Sequence, residues 1–308
     1  MSNIDKLKAM SDEERFLKNI CPFCGEKGLD YKVALRGKDH VFEQNIGFQV
    51  LSCGYCNGLF TKGSDFQNLR DYYEKSYPPE YYTVVCGGRS GDAGSNPLLR
   101  KIILECIEEP SKARVLDVGC GNGGFLNYLR EKEFKVFGVE VSKLACEYCE
   151  KEYGIKVFNG MIEKLPIDRP FQIITMVGTI EHFLNPVRTL NTIRQHLSPE
   201  GFLIFDFPDI NSFEARLARS RWWALELPRH TLHFTKESAR RIIEITGFRL
   251  VRSISIAKTW FHPGFLTPPV RDGFSRRSIP GMAVQMVSLI LLLLHTKPHH
   301  IYVCKLNE

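Results

Sequence analysis

Residues 115–125 read Val-Leu-Asp-Val-Gly-Cys-Gly-Asn-Gly-Gly-Phe, an apolar run set directly against a glycine-dense turn. A buried strand that stops at glycines and continues into a helix is the junction at which open α/β sheets meet their ligands. Gly119, Gly121 and Gly124 satisfy the dinucleotide spacing G-x-G-x-x-G, whose turn brings backbone N–H groups up to a pyrophosphate. Asp117, two residues before the first glycine, argues against that ligand. Its carboxylate would repel a pyrophosphate and would suit a group of positive charge. The N–H groups at the helix start still suit a carboxylate.

S-Adenosylmethionine carries an ammonium, a sulfonium and a carboxylate, and so meets all three conditions. The run Asp117-x-Gly119-Cys-Gly121-Asn122-Gly123 resembles motif I of the class I S-adenosylmethionine-dependent methyltransferases. The resemblance implies that Asp117 faces the amino group and that Gly119, Gly121, Asn122, Gly123 and Phe125 line the cofactor. Glu140 lies about 20 residues past the glycine turn, where an acid accepts the ribose hydroxyls, with Val141 beside it. Capping the next helix is the plainer role for Glu140, although Ser142 is the better cap. Gly160-Met161-Ile162-Glu163-Lys-Leu-Pro resembles the family's adenine loop and implies that Met161 and Ile162 flank the ring. The turn Val177-Gly-Thr-Ile-Glu181-His182 resembles the family's apolar-apolar-Glu-His segment, which places Val177 and His182 in the cofactor pocket. One departure is Gln172 after Phe171, where the family has an acid; it falls at the far end of its strand.

Ahead of this region, Cys21-Pro-Phe-Cys24 and Cys53-Gly-Tyr-Cys56 form two C-x2-C pairs separated by 28 residues. Four thiolates in two tight turns make a closed tetrahedral site for structural zinc, and Pro22, Gly25, Gly54 and Asn57 are suitable turn residues. Residues 30–35 and 48–51 read as short strands between the pairs, as in a zinc ribbon. Cys146-x2-Cys149 lies within a helical stretch, lacks a second pair, and reads as two ordinary thiols. Tyr72-Tyr73 and Tyr77-Pro-Pro-Glu-Tyr-Tyr82 form an aromatic linker, and 86–94 is glycine-rich.

Strands are expected at 114–118, 135–140, 155–159, 171–177, 202–206, 248–257 and 301–306. Helices are expected at 97–108, 125–131, 142–153, 186–196 and 236–246. This alternation gives an α/β Rossmann-like, doubly wound sheet, with an antiparallel last strand implied by the resemblance. The expected organisation is a zinc-ribbon module with its Tyr-rich linker over 1–85 and a methyltransferase domain over 86–308.

Methyl transfer needs alignment of nucleophile and methyl group and, for a hydroxyl or carbon acid, a base. Leu227-Pro-Arg-His230-Thr-Leu-His233 resembles the segment that holds the catalytic histidine in zinc-bearing sugar methyltransferases, which makes His230 and His233 the candidate bases. Arg229 stands where those enzymes carry an acid. Backbone hydrogen bonding around Trp222 and Trp223 is the competing role for both histidines. The resemblance implies a small-molecule acceptor, a sugar or glycan intermediate. An rRNA or tRNA methyltransferase with the ribbon as RNA clamp is the first alternative, and a non-catalytic cofactor-binding scaffold the second.

Residues 1–85 hold 11 basic and 12 acidic residues, whereas 209–280 hold 13 and 6. An acidic ribbon argues against nucleic acid. The late basic surplus fits an anionic or lipid-linked acceptor, and equally an ordinary solvated face. The apolar run 282–294 is too short to span a bilayer, which takes about 20 residues; it fits a buried helix, a dimer contact or a peripheral membrane contact. The start has no apolar signal region, and ten cysteines without one fit a reducing compartment. The expected location is cytoplasmic, with peripheral contact at the inner face of the membrane as a variant.

Overall fold

The structure is a computed structural model that describes residues 2–26, 31–38, 47–63, 97–166, 169–256 and 298–307. The Tyr-rich linker, the glycine-rich 86–94, the expected boundary at 85/86 and the apolar run 282–294 lie outside the described residues. Among the described residues, no helix is long and apolar enough to cross a membrane.

The chain opens with helices α1 (Asn3–Ala9) and α2 (Asp12–Leu17), capped by the side chains of Ser2 and Ser11. Three strands follow: β1 (Tyr31–Lys38), β2 (Gly47–Cys53) and β3 (Leu59–Thr61). Helix α3 (Pro97–Cys106) leads into β4 (Arg114–Val118), α4 (Gly124–Glu131) and β5 (Lys135–Glu140). Next come α5 (Lys143–Tyr153), β6 (Phe158–Asn159), β7 (Phe171–Met176), α6 (Pro186–His196) and β8 (Leu197–Pro208). The last elements are α7 (Phe213–Ala218), β9 (Leu232–His233), α8 (Lys236–Ile245), β10 (Phe248–Ile256) and β11 (His299–Leu306).

The main sheet has seven strands in the order β10-β11-β8-β7-β4-β5-β6. Strands β4 to β8 run parallel, and β11 is antiparallel to both its neighbours, β8 and β10. This is the expected α/β Rossmann-like sheet. Local chemistry sets the helix starts. Ser142 accepts from the Ala145 N–H, and Asn185 accepts from the Arg188 N–H with Pro186 in the first turn. The third strand is shorter than expected, two residues rather than five, because β6 is an edge strand paired only at Phe158 and Asn159. Gln172 lies near the start of β7, where its Oε1 accepts from the Arg114 N–H at 2.8 Å, away from the ligand edge.

The second sheet has the order β1-β2-β3-β9, all antiparallel. Three of its strands come from the ribbon and the fourth from the segment after β8. Leu59 pairs with His233 and Phe60 with Leu232. The two parts of the chain therefore share one core, in which Leu7, Phe23 and Phe60 join Phe207, Phe234 and Ile180. The ring of Phe234 packs edge-on against Phe23 at 5.5 Å and tilted against Phe207 at 5.2 Å. On α6, the preceding Asn185 donates through Nδ2 to the carbonyl of Leu7 at 2.8 Å, which docks α1.

Phe234→Ala removes the ring that bridges ribbon and sheet. It should lower the unfolding free energy by about 3–5 kcal/mol in urea titration. Tryptophan fluorescence and far-ultraviolet circular dichroism should still report one shared transition, whereas separate transitions for ribbon and sheet would contradict the single core.

Candidate active site

Every candidate cofactor residue lies at or just beyond the carboxyl ends of β4, β5, β6 and β7. Asp117, near the end of β4, is buried, and its Oδ1 accepts from the Thr175 hydroxyl of β7 at 2.7 Å. Burial pushes its carboxyl up to about 7; the Thr175 hydrogen bond opposes this, and the charges of Glu140 and Asp206 add to it. Glu140 ends β5, buried, with its own pKa raised, chiefly by burial. Its Oε2 accepts from the Gly121 N–H at 3.0 Å and its Oε1 from the Ser142 N–H at 2.8 Å. Neither Asp117 nor Glu140 forms an ion pair among the described residues.

The turn between β4 and α4 is shaped for close approach. Gly121 has φ +53°, and a Cβ added there would meet nothing within 4 Å, so its backbone borders open space. Gly123, at φ +79°, starts α4 without a side-chain cap, and a Cβ would stand 2.0 Å from the Cys149 sulfur. Asn122 is buried and turns its Oδ1 to the Gly124 N–H at 3.2 Å. Val141 and Met161 are apolar yet 47% and 39% exposed, and both adjoin the acid-bearing edge. Ile162 is buried in the main core, and Phe125 in the core on the sheet's other face. Their side chains serve packing in the structure. Val177 is half-buried after β7. Two buried acids without a cation among the described residues, beside a turn with open space, fit a ligand that brings positive charge.

Three histidines converge beyond β7. His182 ends a short 3-10 turn, Ile180–His182, and its Nδ1 donates to the Arg229 carbonyl at 3.0 Å. His230 donates through Nδ1 to the Ala224 carbonyl at 2.8 Å, and its ring stands edge-on to His182 at 4.8 Å. A carbonyl only accepts, so the proton of each ring is on Nδ1. The Nε2 of His230 lies 3.7 Å from a Glu226 oxygen and 3.9 Å from a Glu181 oxygen. His233, on β9, bonds instead to the Thr61 hydroxyl at 3.0 Å. Loss of water around the rings holds His182 at about 4 and His233 at about 3, and burial drives His230 well below its ordinary value. All three are neutral near pH 7.

Spacing along the sequence brings out neither Glu226 nor Glu181 as a partner of His230, because the three meet only through the fold. The same holds for two histidines at the start of β11. His299 lies 3.4 Å from Asp206, and His300 lies 3.1 Å from Asp209, all four buried at the carboxyl end of β8. The adjacent pair His299-His300 is the only signal in the chain that could have raised them.

The four ribbon cysteines are buried and form a cluster whose sulfurs lie within 4.8 Å of one another. Cys21 and Cys56 approach to 3.5 Å, Cys24 and Cys53 to 3.7 Å. A tetrahedron of thiolates about 2.3 Å from a zinc ion has edges of about 3.8 Å, close to these separations. The two knuckles are alike, with the Gly25 N–H donating to the Cys21 carbonyl and the Asn57 N–H to that of Cys53. Cys146 is half-buried on α5 and Cys149 buried.

A family model described as a methyltransferase domain matches residues 95–253, just over half of the chain. A ubiquinone biosynthesis O-methyltransferase of Rickettsia canadensis is 29% identical over 129 residues, covering 38% of this chain and 55% of that protein. One from Rickettsia conorii is 29% identical over 214 residues, covering 66% and 69%. The chain thus spans about half the length of the first of these relatives. Among solved structures, the cyclase SpnF superposes with a TM-score of 0.54 over 77% of this chain and 96% of that one, at 18% identity, a likeness of fold. By its matched domain and the glycine turn that carries Asp117, the chain belongs to the class I S-adenosylmethionine-dependent methyltransferases, with a four-cysteine ribbon built onto the domain.

Proposed function

We propose that this protein methylates a hydroxyl of a small-molecule acceptor, using S-adenosylmethionine, with His230 taking the acceptor's proton. The observation that carries this reading is the buried pair Asp117 and Glu140, without an ion-pair partner among the described residues and beside the open glycine turn, together with His230 just beyond the same sheet edge. Bound at this edge, S-adenosylmethionine would supply a methyl group on an already activated sulfur. Asp117 would hold the donor's amino group, Glu140 the ribose hydroxyls, and the exposed Val141 and Met161 would cover the adenine.

In this reading the acceptor's proton goes to His230. With Nδ1 committed to Ala224, Nε2 of His230 is the basic nitrogen, and Glu181 and Glu226 would stabilise the imidazolium that forms. A histidine held well below its ordinary pKa is a weak base. It suits a phenol-like hydroxyl, with a pKa of about 10, better than an alcohol of a sugar ring, which is far less acidic. The names of the ubiquinone-pathway relatives favour the same O-methyl chemistry, whereas a sugar or glycan acceptor rests on the resemblance of the His230 segment alone. His233, bonded to Thr61, takes a holding role in this reading.

The cysteine cluster holds zinc in this account, as a structural centre away from the transfer. The ribbon's edge strand β3 is paired with β9, so the ribbon serves as a wall of the acceptor site rather than as an RNA clamp. A cytoplasmic location fits the ten cysteines, and the basic surplus over 209–280 fits contact with an anionic surface.

Three outcomes are expected. Asp117→Asn should weaken S-adenosylhomocysteine about 30-fold, or ~2 kcal/mol, since it removes one side of a buried charge contact. His230→Ala should bind that ligand within about twofold of wild type yet lower tritiated methyl transfer to a catechol panel by about 100-fold or more. Wild-type transfer rates in the second variant would remove His230 from the mechanism. Elemental analysis should find about one zinc per chain, lowered in Cys53→Ser.

A further inference from the structure

Thr61 is the last residue of the ribbon's edge strand, and its side chain is fully buried. Three hydrogen bonds tie it to the histidine segment of the other part of the chain. Its backbone N–H donates to the Thr231 carbonyl at 2.9 Å. Its hydroxyl donates to the His230 carbonyl at 2.8 Å. The same oxygen stands 3.0 Å from Nε2 of His233. A hydroxyl has one proton, and the carbonyl of His230 takes it, so the third contact is His233 Nε2–H donating to Thr61. That bond fixes His233 as the Nε2–H tautomer, the reverse of His230.

The segment is held from its other side as well. The Thr231 N–H donates to the Glu181 carbonyl at 2.9 Å and the Thr231 hydroxyl to the Phe183 carbonyl at 2.9 Å. His230 therefore hangs between the loop after β7 and the ribbon strand β3. The β7 loop also carries His182 and Glu181, whereas β3 carries no acid or base near the ring. Its contribution to His230 is position.

We infer that Thr61 is a positioning residue that lets the ribbon set the place of His230 at the acceptor site. The inference rests on the reading that His230 takes the acceptor's proton. Without the hydroxyl, the His230 carbonyl and the His233 N–H each lose a buried partner, and the segment between them is free to shift. A displacement of about 1 Å at a reacting group can cost about 100-fold in rate. The cofactor edge, built on β4 to β7, does not touch Thr61 and should keep its affinity.

The test compares Thr61→Val, Thr61→Ala and Thr61→Ser in the full-length, zinc-loaded protein. S-Adenosylhomocysteine affinity, zinc content, tritiated methyl transfer to the catechol panel and the imidazole nitrogen signals by NMR are measured in each. Val and Ala should lower transfer about 10- to 100-fold with ligand affinity within twofold. They should also abolish the protected Nε2–H signal of His233 and mix the tautomers of His230. Ser, which keeps the hydroxyl, should restore both rate and signals. Wild-type rates and an unmixed His230 tautomer in Val or Ala would overturn the role of Thr61, even if His230→Ala is inactive. Wild-type transfer in His230→Ala would instead overturn the reading beneath it. If either substitution disturbs zinc loading, wild-type rates with an unmixed His230 tautomer in the zinc-loaded fraction still overturn the inference.

Discussion

A buried carboxylate with no cation beside it among the described residues sets the terms for the rest of the site. Asp117 is held by one hydroxyl, that of Thr175, and lies within reach of the charges of Glu140 and Asp206. Burying an acid in such company raises its pKa and costs stability in the free protein. A ligand that arrives with positive charge relieves this strain, whereas a pyrophosphate would add to it. The choice between the two nucleotide ligands of this sheet architecture thus turns on one side chain at the end of one strand. The open face of Gly121 and the tight packing of Gly123 then let backbone and ligand meet there.

The second constraint is that the ribbon and the sheet are not separate bodies. Four buried thiols close two knuckles, one ahead of β1 and one between β2 and β3, and β3 is completed by β9 from more than 160 residues further on. Through Thr61, the module with the cysteines reaches the segment with the histidines. The four-cysteine ribbon in this way helps to hold the histidine segment. The acidic character of the ribbon fits that internal use better than contact with phosphate.

Much of this was legible in the chain because it is local. Asp117 and its glycines, the cap at Ser142, the Asn185-Pro186 start and the paired cysteines are all written within a few residues. The limits of β4 and β5 follow from short apolar runs with turn residues at their ends. What sequence reasoning missed depends on contacts between distant segments. Two-residue β9 has no periodicity of its own and exists because Phe60 and Leu59 lie opposite Leu232 and His233. The partners of His230, Glu181 and Glu226, come from two different loops, and His299 and His300 meet Asp206 and Asp209 only once β11 inserts beside β8. Ile162 and Phe125 are singled out by motif position, and in the structure their side chains are buried in the two cores.

The most direct test of the central claim is proton exchange on ligand binding. S-Adenosylhomocysteine would be titrated calorimetrically at pH 7 in buffers of different ionisation enthalpy. With Asp117 raised to about 7 in the free protein, the ligand's ammonium should expel protons on binding, and Asp117→Asn should remove that release. Binding with no proton exchange, or uptake of a nicotinamide dinucleotide in preference to adenosylhomocysteine, would contradict the account.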